Sequence, residues 1–186
     1  MASTVEFENY SISPIQEKDA WRLCDFVVSN SERLKAYFPK TLEQNLTPTL
    51  SELFVGKKTK AFLQGEEFLF TIKENTGRTI IGLVYIKDLA KDLKQGELAY
   101  CISYRYEGKG IMGRAIKELV SWSFAHGLKT LQVVVHDSNL ASIKVAEKNG
   151  FTWVRQLPND HTTGSGDVLD MELYELTGLQ AQTGEK

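Results

Sequence analysis

The sequence predicts an α/β domain with a mixed sheet covered on both faces. Two kinds of periodicity and their order in the chain lead there. Phe68, Phe70 and Ile72, then Leu131, Val133 and Val135, then Leu169, Met171 and Leu173 alternate as strands do. Ile111, Ala115, Leu119 and Trp122 instead recur at the spacing of one helix face. The resulting order is strand, helices, three strands, helix, strand, helix, two strands, which suits a sheet with helices on both sides.

Tyr10 to Ile15 reads as the first strand, left at Pro14. Glu17 to Val28 has near-helical apolar spacing, and a short helix is expected from Ser31 to Ala36. Pro39 and Pro48 break this region, with a further helix over Thr49 to Gly56. Glu67 to Lys73 and Thr79 to Ile86 form a hairpin through Asn75-Thr76-Gly77-Arg78, and Lys87 to Gln95 reads as a charged connection. Gly96 to Tyr104 is the fourth strand and Gly110 to His126 a long helix stopped by Gly127. Thr130 to Val135 is the fifth strand. A helix capped by Asp137 or Ser138 then runs to Asn149. Thr152 to Gln156 begins the sixth strand, Asn159 to Asp167 reads as a mobile loop, and Val168 to Leu176 is the last strand. The expectation is a single domain over 1–177, with a polar, frayed tail over 178–186.

Composition narrows the function. The chain has 186 residues, 42% hydrophobic and 25% charged, as an ordinary globular domain has. A net charge of −2 argues against nucleic acid as the main partner. No apolar run approaches a membrane span, and the first nine residues carry no secretory pattern, so no membrane association is expected. Cys24 and Cys101 lie far apart. A disulfide is open to them, but a reducing cytoplasm is the simpler setting. With three histidines and no paired-ligand motif, no metal site is expected.

The informative stretch is Glu107-Gly108-Lys109-Gly110-Ile111-Met112-Gly113-Arg114, between a strand and a helix. Glycines let backbone approach a ligand, and the first turn of a helix offers unpaired N–H groups at the positive end of its dipole. Such a turn suits phosphate or pyrophosphate, although a tight turn that binds nothing has the same letters. The P-loop pattern is absent. Gly108, Gly110 and Gly113 satisfy G-x-G-x-x-G, but the acidic residue of that fingerprint comes late, at Asp137, and the turn lies past the middle of the chain. An NAD site is therefore the lesser reading.

The turn resembles the acyl-CoA loop of the GNAT acyltransferase superfamily, Gln/Arg-x-x-Gly-x-Gly/Ala, with Glu107 in place of Gln or Arg and Met112 in place of the small residue. Glu97-Leu98-Ala99-Tyr100, Asn139-x-x-Ser142 and the helix ending in Asn149-Gly150-Phe151 resemble the subgroup that acetylates ribosomal-protein N-termini. The likeness runs in register from about Glu67 to Tyr174. It implies a mixed, mostly antiparallel sheet of about seven strands, flanked by helices, with splayed fourth and fifth strands. It also implies acetyl-CoA as co-substrate and an amine as acceptor, either a peptide N-terminus or a small amine.

Carried onto this sequence, pantetheine pairs with Ile102, Ser103 and Tyr104, and pyrophosphate rests on the amides of Gly108, Lys109, Gly110, Ile111, Met112 and Gly113. Lys109 and Arg114 add charge, or are simply solvated. Asn139 binds pantetheine or caps a helix. Glu97 is the candidate base, or a strand-edge carboxylate. Ser142 assists the leaving thiolate, or is a polar residue in a first helical turn. Trp21, Phe26, Tyr37, Phe38 and Phe54 shape an acceptor pocket, or are core. His136 is structural or lines the pocket, and Cys101 is packing. A CoA-binding sensor without catalysis is the reading from another class, and a homodimer is left open.

Overall fold

The computed structural model describes residues 4–92, 94–163 and 166–178. Its strands are β1 (Val5–Phe7), β2 (Tyr10–Pro14), β3 (Phe68–Glu74), β4 (Ile80–Ala90), β5 (Gln95–Ile102), β6 (Thr130–Val135), β7 (Thr152–Thr162) and β8 (Val168–Thr177). Its helices are α1 (Ala20–Ser29), α2 (Ser31–Tyr37), α3 (Pro39–Glu43), α4 (Pro48–Gln64), α5 (Ile111–Ala125) and α6 (Leu140–Lys148). The strands form one eight-stranded sheet in the order β1-β2-β3-β4-β5-β6-β8-β7. One strand more than expected is present: Val5–Phe7 pairs antiparallel with β2 through a turn at Glu8, whose φ is 52°. Three residues are too short a run to declare themselves by alternation. The chain divides into two compact units, the first up to Tyr85 plus Tyr100–Lys109, the second Ile86–Ala99 with the residues from Gly110 onward.

In the first unit, β2 pairs antiparallel with β3 from Tyr10↔Glu74 to Pro14↔Phe70. Leu69, Ile72, Ile81, Leu83 and Val84 are all buried, so these strands are covered on both faces and read as continuous apolar runs. A Cβ on Gly82 would stand 2.9 Å from the Cys101 carbonyl oxygen, which shows how closely β4 approaches β5 there. Helix α4 exceeds the expected Thr49 to Gly56. Thr47 Oγ1 caps it by accepting from the Leu50 amide at 3.3 Å, and Gly65, with φ 64°, ends it. Gly56 does not stop it because good helix formers follow and Phe62 packs edge-on against Phe68 and Phe70 of β3, with centroids 4.9 and 5.4 Å away. Helix α3, with Pro39 in its first turn, was not anticipated between the two prolines. Lys73 on β3 donates at 2.7 Å to Asp19, just before α1, and both are buried. Cys24 and Cys101 are free and buried, so the open disulfide is not formed.

In the second unit, β5 and β6 are parallel over Gln95–Glu97 and Thr130–Gln132. That ladder stops at Glu97↔Gln132, while β6 continues to Val135 paired with β8. The divergence expected of these two strands begins there. Helix α5 matches expectation to within a residue, capped by Gly110 and followed by Gly127 with φ 94°. Two expectations are corrected. β7 extends to Thr162, into the supposed mobile loop, because it pairs with β8 as far as Thr162↔Val168 around two register shifts. α6 is capped by Asn139, not by Asp137 or Ser138. The expected polar tail lies outside the described residues except for Gly178.

Candidate active site

The residues before the glycine turn belong to the first unit. β5 ends at Ile102, two residues short of expectation, because the chain enters a 3-10 turn at Tyr104–Tyr106. The Ser103 amide donates to the Ile81 carbonyl at 2.8 Å, and its carbonyl accepts from the Tyr106 amide at 2.9 Å. Both backbone groups of Ser103 are thus engaged, and the Tyr104 carbonyl accepts from Glu107 at 3.3 Å. By the alternation of a strand, Ile102 turns its own N–H and C=O away from β4. Of Ile102, Ser103 and Tyr104, Ile102 is thus placed with its backbone groups directed away from β4.

Gly108 has φ 70° and Gly110 φ 76°, the left-handed region that glycine enters without strain. An added Cβ at Gly108, Gly110 or Gly113 would meet nothing within 4 Å. Lys109 lies over the Tyr106 ring at 5.1 Å. Glu107 forms an ion pair with Arg33 of α2, a partner that sequence reasoning missed, although its signal was the odd carboxylate itself.

The remaining residues belong to the second unit. The first intrahelical bond of α5 runs from the Arg114 amide to the Gly110 carbonyl at 3.0 Å, leaving the amides of Ile111, Met112 and Gly113 without intrahelical partners. The side chains of Ile111 and Met112 are buried, so they anchor the turn. Asn149 Nδ2 donates to the Gly113 carbonyl at 3.2 Å, tying the end of α6 to the start of α5. Arg114 pairs with Glu118 at 3.2 Å on the exposed face. Asn139 Oδ1 accepts from the Ser142 amide at 3.2 Å, which places Ser142 in the first turn of α6. His136 Nδ1 lies 2.7 Å from Ser138 Oγ and 3.2 Å from Asp137, a local turn contact.

Glu97 is mostly covered, and Lys87 Nζ reaches its Oε1 at 2.8 Å. Burial holds the Glu97 carboxyl above the ordinary carboxylate range, against the pull of Lys87. Asp88 and Asp160 push the same way as burial. Lys87 was read as part of a charged connection. It belongs to β4, which continues to Ala90.

Of the aromatics expected around an acceptor, Phe26 and Phe54 are buried core and Trp21 is exposed. Phe38 stacks on Tyr85 at 6.2 Å, and the Tyr85 hydroxyl lies 2.9 Å from Thr41 Oγ1. Lys58 donates to Glu67 at 2.6 and 2.9 Å and stands over the rings of Phe54 and Tyr85. Among the described residues, no group of three or more His, Cys, Asp or Glu is arranged to hold a metal ion, and no helix is long and apolar enough to cross a membrane.

A mixed sheet whose parallel β5–β6 ladder stops at Glu97↔Gln132, with a glycine turn opening α5 between those strands, is the α/β architecture that the resemblance implied. Residues 11–152 match the acetyltransferase (GNAT) domain, and the chain belongs to that family. A ribosomal protein uS5-alanine N-acetyltransferase of Escherichia coli is 26% identical over 109 residues. That match spans 58% of this chain and 56% of the relative, little more than half its length. The solved ribosomal-protein-S5-alanine acetyltransferase of Vibrio fischeri superposes with a TM-score of 0.89 at 24% identity, covering 95% of this chain and 97% of the other. A Microcin C7 self immunity acetyltransferase, solved with acetyl-CoA and AMP, gives a TM-score of 0.82 at 20% identity over 92% of this chain and 93% of its own.

Proposed function

We propose that this protein transfers an acetyl group from acetyl-CoA to a primary amine, with a protein N-terminal amine as the acceptor. The observation that carries the reading is the glycine turn: left-handed Gly108 and Gly110, open space at Gly108, Gly110 and Gly113, and helix amides without intrahelical partners. A pyrophosphate fits such a cradle, since it accepts from those amides and gains from the helix dipole. Ile102 would pair with pantetheine, and Asn139 would hold the start of α6 through its cap. Bound there, acetyl-CoA supplies an activated thioester.

The neutral amine attacks the thioester carbonyl carbon. A C–N bond forms, the C–S bond breaks, and CoA leaves as the thiolate. The proton shed by the amine goes to Glu97, directly or through water, and the Ser142 hydroxyl donates to the sulfur. A buried carboxylate with a raised pKa is a stronger base than a solvated one, and Lys87 keeps it oriented. Transfer is direct. Cys101 does not suit a covalent relay, because burial pushes its thiol up to about 12.

The α-amine acceptor is supported by the likeness to the uS5-alanine N-acetyltransferase of Escherichia coli and by the Glu97-x-x-Tyr100 likeness. The setting that fits is the cytoplasm, which supplies acetyl-CoA and keeps Cys24 and Cys101 reduced. The test is free-thiol release from acetyl-CoA across a panel of peptides and small amines. Turnover with small amines alone removes the N-terminal acceptor and keeps the enzyme class. Tight acetyl-CoA binding with no turnover favours a sensor.

A further inference from the structure

We propose that Asp160, on β7, and Asp88, on β4, are positioning residues that act through Glu97: their carboxylates offset Lys87, so that Glu97 can take up the proton of the acceptor amine. The proposal rests on the acetyl-transfer reading above, with Glu97 as its base. The backbone singles out both places. Among the described residues, five that are not glycine have positive φ. Glu8, Arg78 and Lys94 lie in turns between strands. Asp88 and Asn159 lie inside strands, with φ of 50° and 55°. Left-handed backbone strains a residue that carries a side chain, and it persists where the surrounding structure holds it, often at functional sites.

Each irregularity places a carboxylate. Neighbours along a strand point to opposite faces. The break at Asp88 lets its Oδ2 meet the ammonium of its own neighbour, Lys87, at 2.8 Å. On β7 the register slips between Leu157 and His161, so Pro158, Asn159 and Asp160 stand opposite Asp170 alone. The Asn159 amide donates to Asp170 Oδ1 at 2.9 Å, which fixes the bulge just before Asp160. Bulges of this kind re-aim a side chain, and they recur beside active sites. Both carboxylates bear on one group. Lys87 Nζ stands 2.8 Å from Glu97 Oε1, and an ammonium acting alone would hold Glu97 ionised and make it a weak base. Asp88 shares that ammonium, and Asp88 and Asp160 both repel the Glu97 charge. Among the described residues, no cation pairs with Asp160, so its charge is not neutralised locally. On β6 the register neighbour of Glu97 is the neutral Gln132, which bonds Gln95 and Glu175 of β8. The Asp88 side chain is 69% exposed, and an ion pair so exposed adds little to stability, so the fold gains little from this arrangement.

The test is the pH profile of kcat for wild type, D88N, D160N, the double variant and E97Q, together with NMR titration of the Glu97 carboxyl. Asparagine keeps the shape of aspartate and tolerates left-handed backbone as well, so the variants remove charge alone. kcat rises as Glu97 ionises. Removing a neighbouring negative charge lowers the Glu97 pKa, so the rising limb should move to lower pH in each single variant and further in the double. The plateau kcat should fall by about twofold to tenfold, a part of the roughly 10²- to 10⁴-fold worth of a general base. KM for acetyl-CoA should stay at the wild-type value. Asp160 is exposed, so raised salt should shrink the D160N shift. A limb that stays put in the double variant, or moves to higher pH, overturns the proposal, as does a lower kcat with the limb and the Glu97 titration unmoved. A limb that persists in E97Q overturns it by removing Glu97 as the base. Wild type that turns over no amine overturns the acetyl-transfer reading and this inference with it. Wild-type turnover with unshifted variants overturns this inference alone.

Discussion

Lys87 Nζ stands 2.8 Å from Glu97 Oε1 and 2.8 Å from Asp88 Oδ2, so one ammonium serves a carboxylate near the start of β5 and one beside it on β4. The two influences on Glu97 oppose each other. Burial raises its pKa, and Lys87 lowers it. The balance leaves the Glu97 carboxyl above the ordinary carboxylate range.

Glu97→Gln keeps the shape and removes the base. It should lower kcat by about 10²- to 10⁴-fold with acetyl-CoA binding close to wild type. An unchanged kcat and pH profile would remove Glu97 from the mechanism and move the search to Tyr100.

With Glu97 as the proposed base, the same pair predicts a pH response. The base works ionised, so kcat rises as pH passes upward through its pKa. Lys87→Met removes the group that lowers that pKa, so the rising limb should move to higher pH. Lys87→Arg should hold it near wild type. A limb that stays put in Lys87→Met would uncouple the two residues.

The fold was legible wherever periodicity had room to repeat. β2, β3, β5, β6, β8 and helix α5 were found within two residues of their bounds because each carries a sustained apolar pattern, whereas β4 ran on to Ala90 through Lys87 and Asp88, whose charges hid it. The misses have physical causes. β1 is three residues long, and α4 runs through Gly56 because Phe62 has β3 to pack on. β7 is exposed along almost its whole length, so no apolar alternation marks it, and its pairing with β8 alone defines it. The glycine turn was readable because positive φ demands a particular residue. Lys87 and Arg33 were not, since an ion pair between residues far apart in sequence leaves no local pattern.

Gly113→Leu separates ligand space from backbone strain. Gly113 is helical, and a Cβ there meets nothing within 4 Å. The substitution should raise stability without ligand by roughly 0.5–1 kcal/mol through helix propensity. It should weaken acetyl-CoA by roughly tenfold or more, since one charge-assisted hydrogen bond is worth about that much. Normal affinity in the folded variant would move the pyrophosphate elsewhere.

Ser142→Ala should cost about tenfold in kcat, because water can substitute as donor to the thiolate. An effect confined to KM for acetyl-CoA would reassign the hydroxyl to binding.

The buried Lys73–Asp19 pair fastens β3 to the start of α1. Asp19→Ala leaves the Lys73 ammonium without that carboxylate and should cost about 3–5 kcal/mol in urea unfolding. Combining Asp19→Leu with Lys73→Met replaces both charges by apolar groups of similar volume and should recover most of it. A single-variant loss below about 1 kcal/mol would show that water reaches the ammonium.

The most direct measurement uses one peptide carrying a free α-amine and one internal lysine, incubated with wild-type protein and acetyl-CoA and mapped by fragment mass spectrometry. Acetyl is expected on the α-amine, formed in step with free thiol and lost in Glu97→Gln. Acetyl on the lysine alone, or acetyl-CoA bound with neither amine modified, would contradict it.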